Sequence, residues 1–307
     1  MRKVMVIGSY VTDLVSRSSH LPKPGETLLG HSFRFGPGGK GSNQAVAAHR
    51  AGAEVFFCTK IGMDDFGSYA LDFYKEEGMS VSHVYIDKTV PTGSALIIVD
   101  ENSGQNMIVV TPGACNKLTA ADIDAVTNEI AAYDCLLLQL EIPVEVVLRA
   151  AQIAKEKGKM VISNPAPAPS TPLPDALLSL IDFITPNETE AEAISGVKIC
   201  TKADMNRAGQ KFLERGAKNV LIALGEKGVY FQSQAENYCV PGLRVNTVDT
   251  TGAGDAFNGA FAAALAEKFP ILEAIRFANV AGALSTKREG TAISMATRSE
   301  IDVYYKI

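Results

Sequence analysis

Val248-Asp249-Thr250-Thr251-Gly252-Ala253-Gly254-Asp255-Ala256-Phe257-Asn258-Gly259 is the stretch around which the chain is organised. Two glycines separated by one small residue are followed at once by an acid. Ala253, Ala256, Phe257, Ala260, Phe261, Ala264 and Leu265 then recur at the three- and four-residue spacing of a core-facing helix. The first N–H groups of such a helix are unpaired and carry part of the positive end of its dipole, so they attract an anion. Gly252 and Gly254, lacking Cβ atoms, let a negatively charged group approach the backbone closely. Asp255 repels such a group unless its task there is to take a proton. The pairing points to phosphoryl transfer to a hydroxyl, with Asp255, Gly252, Ala253 and Gly254 as the catalytic set. The plainer alternative is a capped helix whose first-turn acid complements the dipole.

Upstream of this stretch the pattern alternates between strands and helices. Val4–Ile7, Val55–Cys58, Asp134–Gln139, Met160–Ser163, Ile181–Ile184 and Asn219–Leu224 are short apolar runs that predict buried strands. Helices are predicted between them, at 65–77, 118–131, 143–156 and 204–215, with two more at 253–267 and 271–286. Alternation of this kind predicts an α/β fold with a largely parallel sheet. Ligands in such folds bind at the C-terminal ends of the strands. Tyr10-Val11-Thr12-Asp13 reads as a polar break at one such end, with Asp13 either a plain loop acid or a partner for two hydroxyls of a polyol. Leu21–Phe35, with β-leaning pieces at 26–29 and 32–35, and the strand pair 94–99/106–110 read as a small second sheet able to act as a lid.

Gly36-Pro37-Gly38-Gly39-Lys40-Gly41-Ser42-Asn43 leads into a helix with Ser42 as the expected N-cap and Gly52 just past its end. The glycines match G-x-G-x-x-G formally, but Pro37 sits in the turn and no acid closes a second strand at the required offset. A phosphate-binding P-loop fails too, because Gly41 follows Lys40 where Ser or Thr belongs. What remains is a glycine-lined pocket with one ammonium and one amide, suited to a hydroxylated ligand. Asn187 and Glu190 sit three apart at a helix start, as either a capping box or a pair that organises Mg²⁺ through its water shell. Gly225-Glu226-Lys227-Gly228 is either a hairpin turn or a loop that receives a nucleotide.

The 307 residues suffice for a substantial core, at 47% hydrophobic and 21% charged. A net charge of −5 argues against nucleic acid or an anionic membrane as partner. No apolar run approaches the ~18 residues of a membrane span, and Met1-Arg2-Lys3 precedes a run too short for a leader. Five scattered cysteines without a C-x-x-C are expected as reduced thiols, and the four histidines show no metal spacing. A cytoplasmic location is expected.

Gly38-Gly39-Lys40-Gly41-Ser42-Asn43-Gln44-Ala45 and Asp249-Thr250-Thr251-Gly252-Ala253-Gly254-Asp255-Ala256-Phe257 together resemble the two signatures of the ribokinase (PfkB) family of carbohydrate kinases, and Asn187-x-x-Glu190 resembles its magnesium motif. The resemblance spans nearly the whole chain. It implies a three-layer α/β/α ribokinase-like fold with a small β-sheet lid: one catalytic domain over 1–307, the lid formed by about 14–36 and 92–111. It implies ATP-dependent phosphorylation of a sugar's primary hydroxyl, D-ribose to ribose 5-phosphate. Deoxyribose, a ketohexose and an adenosine-like nucleoside are the alternative acceptors, and a non-catalytic sugar or nucleotide sensor is the outside alternative. By position, Asp255 is the general base, and Asp13, Gly39, Lys40, Asn43 and Glu141 line the sugar site. Asn187, Gly225, Glu226, Lys227, Gly228, Gly254 and Asn279 lie by ATP, with Mg²⁺ held at Asn187 and Glu190 through water. Asp249, Thr251, Ser285, Arg288, Gly290 and Ser294 match a monovalent-cation (K⁺) site, several through backbone carbonyls. A homodimer through the lid is implied as well. Two positions depart from the family pattern: Val11 stands where an asparagine that binds the sugar is usual, and Ala223 where a threonine usually precedes the nucleotide loop.

Overall fold

The computed structural model describes residues 2–305; Met1, read above as preceding the first strand, lies outside them. Among the described residues the strands are β1 (Lys3–Ile7), β2 (Val11–Ser18), β3 (Ser32–Gly38), β4 (Glu54–Gly62), β5 (Val84–Asp87), β6 (Thr92–Asp100), β7 (Asn106–Gly113), β8 (Cys135–Leu138), β9 (Met160–Ser163), β10 (Phe183–Ile184), β11 (Asn219–Ala223), β12 (Val229–Ser233) and β13 (Asn237–Val240). Nine of them form one sheet in the order β13-β12-β11-β10-β9-β8-β1-β4-β5. The ladders from β10–β11 through to β4–β5 are parallel, and β12 and β13 close one edge as antiparallel strands.

Successive strand residues face opposite sides of this sheet, and both sides are apolar. Val4, Val6, Phe57 and Leu137 join one core with the helices Lys40–Arg50, Ala253–Ala266 and Ile271–Ser285. Met5, Ile7, Phe56 and Leu136 join the other with Val144–Glu156 and Lys202–Glu214. The result is the expected three-layer α/β/α arrangement. The helix Ala253–Ala266 departs from the single apolar stripe: it is buried on nearly all sides from Asp255 onward. Gly259 is the reason, since a Cβ there would lie 2.4 Å from the Gln44 carbonyl and 2.5 Å from Ala47 Cβ. Helices 253–266 and 40–50 therefore touch backbone to backbone.

The second sheet has the order β3-β2-β6-β7. Its inner face carries the small core Val11, Val15, Ala95 and Ile97. On its outer face Phe33, Phe35, Leu96, Met107 and Val109 are exposed.

Several local expectations need correction. Tyr10–Asp13 is no polar break, because Val11 opens β2. Glu26–Leu29 forms no strand. The helix at 40 is capped by Gly39 at φ 86°, with no side-chain cap; Ser42 lies buried inside it and accepts the Tyr74 hydroxyl. The capping box of Thr119 and Asp122 is present, but the helix behind it divides into Ala120–Asp124 and Thr127–Ala132. β5, β13 and the helix Arg298–Tyr305 carry too little periodicity to be expected from their sequence.

Candidate active site

Two helix N-termini open onto one cleft. Gly39 (φ 86°) and Gly252 (φ 78°) begin them in backbone conformations that other residues adopt only with strain. At Gly39 a Cβ would also press within 2.9 Å of the Val11 nitrogen. Asp255, in the first turn of the second helix, is buried between them. The Asn43 amide donates to its Oδ2 and the Gln44 amide to its Oδ1, each at 2.9 Å. Asn43 Oδ1 is buried with no partner among the described residues, which leaves an acceptor for a ligand hydroxyl.

Asp13 lies on the inner face of β2, with Gly38 beside it; a Cβ at Gly38 would stand 2.1 Å from Asp13 Oδ1. Thr291 Oγ1 lies 2.9 Å from both Asp13 Oδ2 and the Pro37 carbonyl, tying the lid to the loop after the last long helix. Burial pushes the Asp13 carboxyl up to about 6; Thr291 works against this, while Glu141 and Asp255 add to it. Burial alone would lower the Lys40 ammonium, but Asp255, Glu141 and Glu190 outweigh it and hold it above its usual value. Glu141 Oε2 accepts from the Ser9 hydroxyl and from the Lys40 backbone N–H, so a carboxylate distant in sequence meets the first N–H of the helix that Gly39 begins.

Asn187 and Glu190 form the capping box, each side chain accepting from the other's backbone N–H. Glu190 is nonetheless buried, and that burial raises its pKa against the pull of Asn187 and Lys40. Both side chains line a small cavity with Lys40, Gly254 and Asp255. Ala253 and Gly254 are shared with a larger cavity, about 610 Å³, walled by Gly225, Glu226, Gly228, Asn279 and the exposed Arg244. Gly225–Gly228 is thus both the β11–β12 hairpin turn and a cavity wall. Lys227, expected beside the nucleotide, is absent from that wall. The Asn279 amide donates to the Pro241 carbonyl at 3.1 Å, fixing the opposite rim.

Among the proposed cation residues, Asp249 Oδ1 accepts from the Thr251 backbone N–H and hydroxyl, and Oδ2 from the Gly290 N–H. The Ser285 and Ser294 hydroxyls donate to the carbonyls of Gly282 and Thr291, and the Arg288 guanidinium turns away to Glu300. Arg288 and Gly290 can offer an ion their backbone carbonyls only, whereas the Thr251, Ser285 and Ser294 hydroxyls keep lone pairs after donating their protons. Among the described residues no three His, Cys, Asp or Glu side chains group to hold a metal, and no helix is long and apolar enough to cross a membrane.

Sequence reading missed the groups behind the site: Ser9 under Glu141, Thr291 beside Asp13, and Gln44, Asn164, Thr185 and Asn258 behind Asp255. Gln44 stands inside the quoted motif and Asn164 begins the proline-stiffened loop, so position was the available signal. Which buried amide meets which is decided only by the fold.

Two helix N-termini flanking a buried carboxylate, between a small polar cleft and a nucleotide-sized cavity, form a group-transfer site on an α/β sandwich. Residues 1–298 match the pfkB family carbohydrate kinases, and the chain belongs to that family. It is 43% identical to the ribokinase of Haemophilus influenzae over 301 residues, covering 98% of this chain and 97% of that one. It is 34% identical to the deoxyribokinase of Salmonella typhimurium, covering 99% of each. The structure of Arabidopsis thaliana ribokinase complexed with ribose and ATP superposes with a TM-score of 0.90 at 31% identity, covering 100% of this chain and 99% of that one.

Proposed function

We propose that the chain transfers the γ-phosphoryl group of ATP to the primary hydroxyl of D-ribose, giving ribose 5-phosphate. The observation that carries this reading is Asp255: a buried carboxylate, clamped by two amides, at the glycine-rich turn between the Asp13 cleft and the 610 Å³ cavity. Asp13, Asn43 and the backbone at Gly39 hold the sugar hydroxyls. Asp255 accepts the proton of the attacking hydroxyl as the O–P bond forms. The open N–H groups at Gly252–Gly254 and the Lys40 ammonium stabilise charge on the transferring group, so catalysis is mainly positioning and electrostatics. Magnesium, when bound with ATP, neutralises phosphate charge. Glu190 and Asn187 suit a water-mediated hold on it, since one buried carboxylate and one amide make no direct cage. The Asp249 carboxylate and the carbonyls of the 285–294 loop suit a monovalent cation that steadies the anion-binding turn.

Val11 favours a second reading, 2-deoxyribose as the preferred acceptor. Its apolar side chain is buried on the same face of β2 as Asp13 and offers no hydrogen bond to a sugar hydroxyl. The test is ADP release over a panel of ribose, 2-deoxyribose, ketohexoses and nucleosides, with and without K⁺. The first reading expects the highest kcat/KM for ribose, and the second for deoxyribose. Turnover of nucleosides alone overturns both. In the same assay Asp255→Asn lowers kcat by about 10²–10⁴-fold with sugar and nucleotide still bound; near-parental turnover would show that Asp255 is not the base.

The outer face of the lid supports pairing with a second copy of the chain, because its exposed apolar residues lie together on adjacent strands.

A further inference from the structure

Gln44 is fully buried and has every polar atom of its side chain committed to protein. One N–H of its amide meets Asp255 Oδ1 at 2.9 Å and the other meets Asn164 Oδ1 at 3.0 Å, while its Oε1 accepts from Gln139 Nε2 at 2.7 Å. Its neighbour Asn43 differs, since Asn43 Oδ1 has no partner among the described residues and keeps an open acceptor. Asn43 is therefore equipped to touch a ligand, and Gln44 is not.

An amide can be turned end for end at small steric cost, so something must decide which end faces Asp255. The Thr185 carbonyl decides it. It accepts from Asn164 Nδ2 at 2.9 Å, which turns Asn164 Oδ1 toward Gln44. An acceptor on that side requires the Gln44 NH₂ there, and the same NH₂ then supplies the donor to Asp255. Gln139 Nε2 answers the other end, and because Gln139 Oε1 has no partner among the described residues, its orientation follows from that of Gln44. Thr185 also works in a second direction: its hydroxyl donates to Asn258 Oδ1 at 2.6 Å, and Asn258 Nδ2 donates to the Gly254 carbonyl at 2.8 Å. One residue at the end of β10 thus orients both the carboxylate and the glycine turn beside it.

We propose that Gln44 is a positioning residue for Asp255, its polarity imposed by the Thr185 carbonyl through Asn164, and that it touches neither sugar nor nucleotide. The proposal rests on the reading of Asp255 as the base. The test is a double-mutant cycle between Gln44→Met, which keeps length and volume but removes the donors, and Asp255→Asn. Gln44→Met should lower kcat about 10- to 100-fold, leaving the dissociation constants for sugar and ATP within about threefold, since misplacing a reacting group by an ångström costs rates of that order. In the Asp255→Asn background the same substitution should cost less than about twofold, because its partner carboxylate is already gone. An equal loss in both backgrounds marks Gln44 as merely structural and overturns the proposal, as does near-parental kcat in Gln44→Met. Should Gln44→Met fail to fold, Gln139→Met, which removes only the donor to Gln44 Oε1, is expected to give a smaller loss with the same coupling to Asp255, and additivity there overturns the proposal equally. The two readings fail differently: retained turnover in Asp255→Asn removes the base itself, whereas loss in Asp255→Asn without loss in Gln44→Met removes only the positioning role.

Discussion

Asp13 shows at the scale of one residue how a binding site works against the stability of its own fold. Its carboxyl is raised to about 6 by burial, with Glu141 and Asp255 adding to the shift. A folded pKa above the unfolded value near 3.8 means that the native state holds this proton more tightly. The stability it contributes is complete below about pH 4 and is lost as pH rises through 6. At pH 8 the charged group costs the ligand-free protein on the order of 1–3 kcal/mol. Asp13→Asn should therefore raise the melting temperature at pH 8, leave it unchanged near pH 4, and weaken sugar binding at least tenfold through the lost charge-assisted hydrogen bonds. Melting curves of both proteins at the two pH values, with sugar titrations, check this; a lower melting temperature for Asp13→Asn at pH 8 contradicts it. In the parent protein, sugar affinity should fall as pH drops below 6, where Asp13 gains its proton.

Among the elements, the helix Ala253–Ala266 carries two glycines with opposite constraints. A Cβ at Gly259 would lie 2.4 Å from the Gln44 carbonyl, whereas one at Gly254 would meet nothing within 4 Å. Gly259→Ala should cost about 1–3 kcal/mol by prising the helix from 40–50, and should lower kcat as Gln44 moves off Asp255. Gly254→Ala should leave the melting temperature within about 2 °C while reducing kcat/KM for ATP, because the added methyl occupies the approach to the turn. Denaturant melts with steady-state kinetics separate the two; equal stability losses would contradict this account. The same helix shows what sequence makes legible. Its apolar spacing and glycine start are written locally, as are the Asn187–Glu190 capping box and the parallel strands. Ser42 reads as a cap, whereas the true cap is Gly39, where any side chain would crowd Val11 and Tyr10, distant in sequence. The start of β2 is not legible, because Val11–Asp13 gains its strand character from pairing with β3 and with β6, the latter some eighty residues later. The pairing of Gln44 with Asn164 across 120 residues leaves no periodic trace at all.

In the molecule as a whole, the lid sheet is bound to the body by Thr291 at Asp13 and by the ion pairs Arg17–Glu289 and Arg34–Asp249, all on its inner face. Its outer face keeps Phe33 at 66%, Leu96 at 54% and Val109 at 63% exposure. Sedimentation should give a mass of twice 32.6 kDa, and Leu96→Glu with Val109→Glu should halve it. A parent protein that sediments as a single chain at micromolar concentration contradicts the pairing. Distances inside the site are insulated from such assembly. Lys40, Asn43 and Gln44 occupy the first turn of a single helix, with Asn43 and Gln44 each donating to one oxygen of Asp255. Asp255 itself rises from the helix Ala253–Ala266, which Gly259 seats directly against 40–50, so a displacement by heat or by the lid carries the two helices together. Their separation is then set by that backbone-to-backbone seam, so the reacting atoms share a frame of reference that moves with them.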